Sequence, residues 1–235
     1  MSPTRYRQLA ESEIGSTIAR LRDRIAERFP ESGLSRVAAE LLGFAKESAP
    51  LLAYLRRPHW AIRIGVGVLL AGMAGVLVAI MVTVRMPVGV GRLSEFLQVS
   101  EASFSVLVFL GAAVLFLVTL ETRLKRARAL RALHQLRSLA HVVDMHQLTK
   151  DPERIGSAEP DTPSSPERIL KPSELGRYLD YCSELLSLIS KVAALHVQWF
   201  NDPHTLAAVN DIESLTSGLS AKIWQKITLL DRSSE

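Results

Sequence analysis

The sequence holds a single cysteine, Cys182. One cysteine cannot close an internal disulfide, so packing alone must hold the fold, and the chain fits a reducing compartment. Such a residue is expected as a small, buried core side chain. Signatures of catalysis are missing as well. The chain has no phosphate-cradling glycine loop, no Cys-x-x-Cys pair, no His-Glu-x-x-His and no serine, histidine and aspartate in a recognisable order. No catalytic residue and no cofactor site are therefore expected, and the chain reads as a non-enzyme. Strand-like alternation, internal repeats and long heptad runs are also lacking, which leaves the helix as the organising element. The net charge is only +4, so no nucleic-acid partner is expected.

Charge is absent from two long stretches. Ile64 to Val84 carries no charged residue and no proline, and Ala102 to Leu120 is uncharged too. A helix needs about 20 apolar residues to cross the hydrocarbon core of a bilayer, and both blocks are near that length. A soluble core helix is seldom apolar on every face over such a distance. The first block lies too far along the chain, behind too many charges, to read as a signal peptide. His59 and Trp60 stand where interfacial side chains belong. Ser100 is the expected N-cap of the second block, with Glu101 favourably placed against the helix dipole.

Basic residues crowd the outer flanks of this pair. Arg56, Arg57 and Arg63 stand at the first block, and Arg123, Lys125, Arg126 and Arg128 follow the second. Between the blocks only Arg85 and Arg92 occur. The side richer in Lys and Arg stays in the cytoplasm. The pattern predicts a multi-pass protein of the inner (plasma) membrane, both termini cytoplasmic, with the seven flanking cations at anionic lipid headgroups. In the first block Gly67, Ala71, Gly75 and Ala79 recur every four residues and form a helix-packing strip of small side chains. Its partner is either the second span, near Gly111, Ala112 and Ala113, or another copy of the chain.

The remaining segments read as amphipathic helix. Ile14, Ile18, Leu21, Ile25 and Phe29 form an apolar stripe that ends near Pro30. A second helix starts near Leu34 and meets Pro50, and Pro58 is a break before the membrane. Past Leu120 a stripe of Leu124, Ala127, Leu130, Leu133, Leu136, Ala140 and Val143 continues the second span as one helix to about Leu148. Residues 151–172 are rich in proline, serine and charge and read as a linker. Ser173 then caps a helix carrying Leu175, Leu179, Cys182, Leu186, Ile189 and Val192. Asp202 and Pro203 open the last helix, whose stripe runs from Leu206 through Val209, Ile212, Leu219, Ile223 and Ile227 to Leu230.

The expected fold is all-α. Its parts are N-terminal cytosolic helices (1–57), a two-span transmembrane hairpin (58–121, spans about 64–84 and 102–120, external loop 85–101), a cytosolic extension (122–150), the linker and a C-terminal antiparallel helix pair (173–235). The N-terminal helices, the extension and the C-terminal pair form a cytosolic bundle. One weak chemical constellation stands out. His134, His141 and Asp144 share a helix face and are of ligand type. Two turns separate the histidines, so the expectation is no metal and ordinary polar positions. The leading functional expectation is a non-enzymatic membrane-anchored helical interaction or scaffold protein whose bundle binds itself, as a homo-oligomer, or another, cytosolic protein. The alternative is an oligomeric pore, channel or permeabilising effector gated by the bundle, against which stands the lack of polar residues at mid-depth.

Overall fold

The structure is a computed structural model that describes residues 8–58, 60–85, 93–150, 152, 163 and 170–233. Among these residues it is all-helical, with no strand. The helices are α1 (Glu11–Arg28), α2 (Gly33–Arg56), α3 (Trp60–Arg85), α4 (Leu93–Leu148), α5 (Pro172–Trp199) and α6 (Pro203–Ser233). The chain divides into two compact units. One comprises Met1–Arg56 with Arg126–Glu235, the other Arg57–Lys125. Helix α4 supplies residues to both.

The larger unit is a helical bundle with α5 at its centre. Three spaced sets on α5 are buried at once: Leu175, Leu179, Leu186 and Ile189 on one line, Tyr178, Leu185 and Val192 on another, Tyr181, Leu188 and Leu195 on a third. A helix buried that broadly must have neighbours on several sides. It packs against α1, α2 and α6. Ile14, Ile18, Leu21 and Ile25 form the buried face of α1, as their spacing predicts. Phe29 closes that end, edge-on to Tyr178 at 5.3 Å and Tyr181 at 6.2 Å between ring centroids. Arg24 forks onto Glu184 at 3.0 and 3.2 Å and ties α1 to α5 at the surface. Cys182 is fully buried, and burial pushes its thiol up to about 12, so it sits in the core as a thiol rather than a nucleophilic thiolate.

Several boundaries differ from the sequence expectation, each for a local reason. Pro50 does not end α2, which continues to Arg56. Proline removes one backbone hydrogen bond and costs about 3 kcal/mol inside a helix. The turn beyond it buries Leu52 and Leu55, at about 1.5–3 kcal/mol for each such side chain, and this outweighs the loss. Ser173 is not the cap of α5. The N-cap is Lys171, with Pro172 at the first helical position, and Glu174 accepts the Lys171 N–H at 2.9 Å. Ser32 caps α2 by accepting the Ser35 N–H at 3.1 Å, after a turn in which Glu31 adopts a left-handed φ of 61°. Ser100 is no cap either, because α4 already begins at Leu93. The stretch from Leu93 to Ser100 has neither glycine nor proline to stop the helix from extending backwards. On α4 the buried stripe uses Ala129 and Ala132 with Leu133, Leu136, Ala140 and Val143, while Leu124 and Ala127 are exposed. Leu206 of α6 is likewise 40% exposed.

The smaller unit contains α3 and the first part of α4. Two contacts orient them. The Lys125 ammonium donates to the Arg57 carbonyl at 2.9 Å, and a Cβ added at Gly65 would touch Leu117 Cδ1 at 3.7 Å. Moving eight residues up α3 thus matches eight residues down α4, as for helices running in opposite directions. The half-shielded residues of α3 are Ile62, Gly65, Val66, Leu69, Met73 and Val76, one continuous helical face. Both helices are long and apolar enough to cross a membrane, and no part of either apolar window is buried within the chain. Residues 86–92 of the expected external loop and most of the linker fall outside the described residues.

Candidate functional site

The features singled out by the sequence occupy distinct places. Gly67, Ala71, Gly75 and Ala79 are all exposed and lie on the far side of α3 from its half-shielded face. Helix α4 meets α3 at Gly65, on the half-shielded face and away from Gly67, Ala71 and Gly75. Gly67 and Gly75 have nothing within 4 Å of a built Cβ, so no contact inside the chain requires a glycine at either position.

The seven basic flanking residues divide into two groups. Arg56, Arg57, Arg63, Arg123 and Arg128 are exposed. Two of them stand over aromatic rings: the Arg56 Cζ is 4.6 Å from the Trp199 centroid and that of Arg128 is 4.3 Å from the Tyr54 centroid. A cation over a ring face is attracted by the ring quadrupole, which holds each guanidinium at its aromatic neighbour. Lys125 and Arg126 are occupied differently from the headgroup contacts expected of them. Lys125 is buried, bonded to the Arg57 carbonyl and paired with Glu121 at 2.9 Å, one helical turn away. A carbonyl just past a helix end lacks an intrahelical partner, and the ammonium supplies one.

Arg126 belongs to a tighter arrangement. Its Nε donates to both carboxylate oxygens of Asp202 at 3.0 Å, and a terminal nitrogen donates to Oδ1 at 2.6 Å. Asp202 is 3% exposed and is also the N-cap of α6: its Oδ2 accepts the Thr205 N–H at 3.1 Å and the Thr205 hydroxyl at 3.2 Å. Burial works against ionisation here, but the hydrogen bonds from Arg126 and the Thr205 backbone overcome it and hold the carboxyl below the usual carboxylate range. The sequence signals Asp202 as a cap. Nothing in it links that aspartate to an arginine 76 positions earlier.

The histidine constellation does not assemble. His134 and His141 are exposed, and Asp144 accepts a 2.6 Å hydrogen bond from Gln147. Among the described residues no group of three or more His, Cys, Asp or Glu side chains is placed to hold a metal ion. His146 instead packs on Gly33 at the start of α2.

His196, not singled out by its spacing, is the most completely buried histidine among the described residues. Its Nδ1 lies 3.1 Å from the Val192 carbonyl and must donate to it, so the neutral ring carries its proton there. Its Nε2 has no protein partner among the described residues. Burial lowers the pKa, opposed by the Val192 and Ala193 backbone. The folded state therefore resists a proton that the unfolded chain accepts below about pH 6.5. Stability is expected to fall as pH drops from about 6.5 toward the folded-state pKa. Replacement of His196 by Leu should flatten this slope in thermal melts between pH 7 and 5, with stability at pH 7 unchanged or raised by about 1 kcal/mol because an unpaired buried polar atom is removed. An unaltered slope would refute the assignment.

No family model matches the chain, and neither a characterised protein nor a solved structure is similar to it.

Proposed function

We infer that the protein is a non-enzymatic, membrane-anchored helical interaction protein that self-associates. In this reading α3 and the first part of α4 cross the inner membrane as a hairpin. Both termini and the bundle lie in the cytoplasm, where Arg57, Arg63 and Arg123 meet anionic headgroups. The observation that carries it is a contrast in burial. The bundle has its own core, whereas α3 and α4 leave Ile64, Val68, Val78, Phe104, Phe109 and Leu115 each at least 61% exposed. A contiguous apolar surface of that extent is not left facing water. Gly67, Ala71 and Gly75 add a second indication, since small residues facing away from the intrachain partner let another helix approach closely. The second copy of the chain is that helix.

The test has two stages. The protein should stay in the membrane pellet through high salt and alkaline carbonate, and in detergent it should elute as an oligomer by light scattering. Gly75→Leu should shift it toward monomer by at least tenfold in concentration. Release by carbonate sinks the anchor. A strictly monomeric parent, with no partner crosslinked in cells, sinks the association. Ion conductance in liposomes would move the reading to the pore.

A further inference from the structure

A groove opens in the bundle between α1 and α2. Its volume is about 650 Å³, inside the roughly 300–1,000 Å³ range of small-molecule sites. Leu42 and Leu52 of α2 and Val192 and Leu195 of α5 line its inner side, all 6% exposed or less. Its walls are made of unusually small residues: Gly15 and Ala19 on α1, Ala45 and Ala49 on α2. The gap exists because these side chains are too short to fill it. Gly15 is the most telling. A Cβ built there meets nothing within 4 Å, so helix packing does not demand a glycine, and glycine is a poor helix former. Its effect at this position is to leave the space open.

The polar residues at the groove say what fits. Ser12 and Ser48 contribute hydroxyls, and the two charged residues that line it, Glu11 and Lys46, are exposed. Neither forms an ion pair with the other or with any other described residue. An apolar trough bearing one separate anion and one separate cation complements an amphiphile with a hydrocarbon tail and a head of both signs. The α2 wall is also the last stretch of chain before α3, so on the anchored reading this part of the bundle is tethered to a surface of such molecules.

We propose that the α1–α2 groove takes one acyl chain of a zwitterionic phospholipid, with the phosphate at Lys46 and the ammonium at Glu11. The proposal rests on the anchored reading. It adds a specific lipid contact to the bundle, so that occupancy of the groove braces α1 against α2.

The experiment uses the full chain in vesicles of phosphatidylethanolamine and phosphatidylglycerol. A trace of phosphatidylethanolamine carries a diazirine in one acyl chain, and adducts are mapped by peptide mass spectrometry after irradiation. Adducts are expected on α3, on α4 and at the groove residues of α1, α2 and α5. Gly15→Leu, which fits the open space, should cut the groove adducts at least tenfold and leave those on α3 and α4 unchanged. Ala49→Leu should do the same, which guards against a folding defect in either variant. Lys46→Gln should reduce groove adducts severalfold. Adducts confined to α3 and α4 overturn the groove while the anchored reading stands. Groove adducts that persist in both filling variants overturn it too. Equal groove labelling by a phosphatidylglycerol probe overturns the zwitterionic head. An absence of adducts throughout overturns the anchored reading together with this one.

Discussion

Asp202→Ala should destabilise the protein by about 3 kcal/mol at pH 7. Loss of the N-cap of α6 accounts for about 1 kcal/mol. Removing one partner from a buried ion pair costs about 3–5 kcal/mol when the other is left dry. Arg126 retains 31% side-chain exposure, so water recovers part of that, and the sum settles near the lower figure. The thermal midpoint should fall by about 6–12 °C for a chain of this size. Asp202→Asn keeps the capping oxygen and loses the charge, and should cost about half as much. The pH dependence has a definite sign. A carboxyl whose folded pKa is depressed contributes stability above its unfolded value, near 3.9, and loses it as pH falls through the folded value. The gap between the parent and Asp202→Ala should therefore persist from neutral pH down to about 4 and close only below it. An alanine variant within 0.5 kcal/mol of the parent would falsify the assignment of Asp202 to both roles.

Gly33→Ala should be destabilising in the parent and stabilising in a His146→Ala background. The added methyl would run into the imidazole, within 2.6 Å of Nδ1 and 2.7 Å of Nε2 and in closer contact still with Cε1. Overpacking of this kind costs about 1–3 kcal/mol. Alanine favours helix over glycine by up to about 1 kcal/mol, so the net loss should be about 1–2 kcal/mol. With the ring gone only the helix term remains, and Gly33→Ala should gain about 0.5 kcal/mol. The coupling between the two sites, read from a denaturant double-mutant cycle, should then be about 2 kcal/mol. Additive single effects would show that the ring moves aside without cost.

Much of the helical pattern was legible in the residues. The apolar stripes of α1 and α5 predict their buried faces, and Asp202-Pro203 marks the start of α6, because periodicity and capping depend on neighbours in sequence. What was not legible depends on neighbours in space. Pro50 looks like a terminator until the burial of Leu52 and Leu55 is known. Ala129 and Ala132 are core residues that a search for large side chains passes over. Lys125 and Arg126 look the same as Arg123 in a basic run, yet one satisfies a carbonyl and the other a distant carboxylate. The strip on α3 is visible in its four-residue period, but which helix meets it depends on the face that α4 takes. The α1–α2 groove is a space between helices, and a one-dimensional pattern does not mark such a space.

The position of α5 at the centre of the bundle also fixes an order of events during synthesis. α1 and α2 emerge first and can pack on each other, but the helix that covers them both begins only at Pro172. Both long apolar helices are made in the interval. The ribosome therefore presents an α1–α2 pair whose α5-facing apolar side chains are uncovered while α3 and α4 are being made. At rates of about 5–20 residues per second that exposure lasts several seconds at least. Arg126 waits in the same way for Asp202. A nascent chain halted before α5 would carry both long apolar helices and an N-terminal pair lacking its third helix, so closure of the bundle reports that translation has passed α3 and α4 and run on to the C-terminal helices.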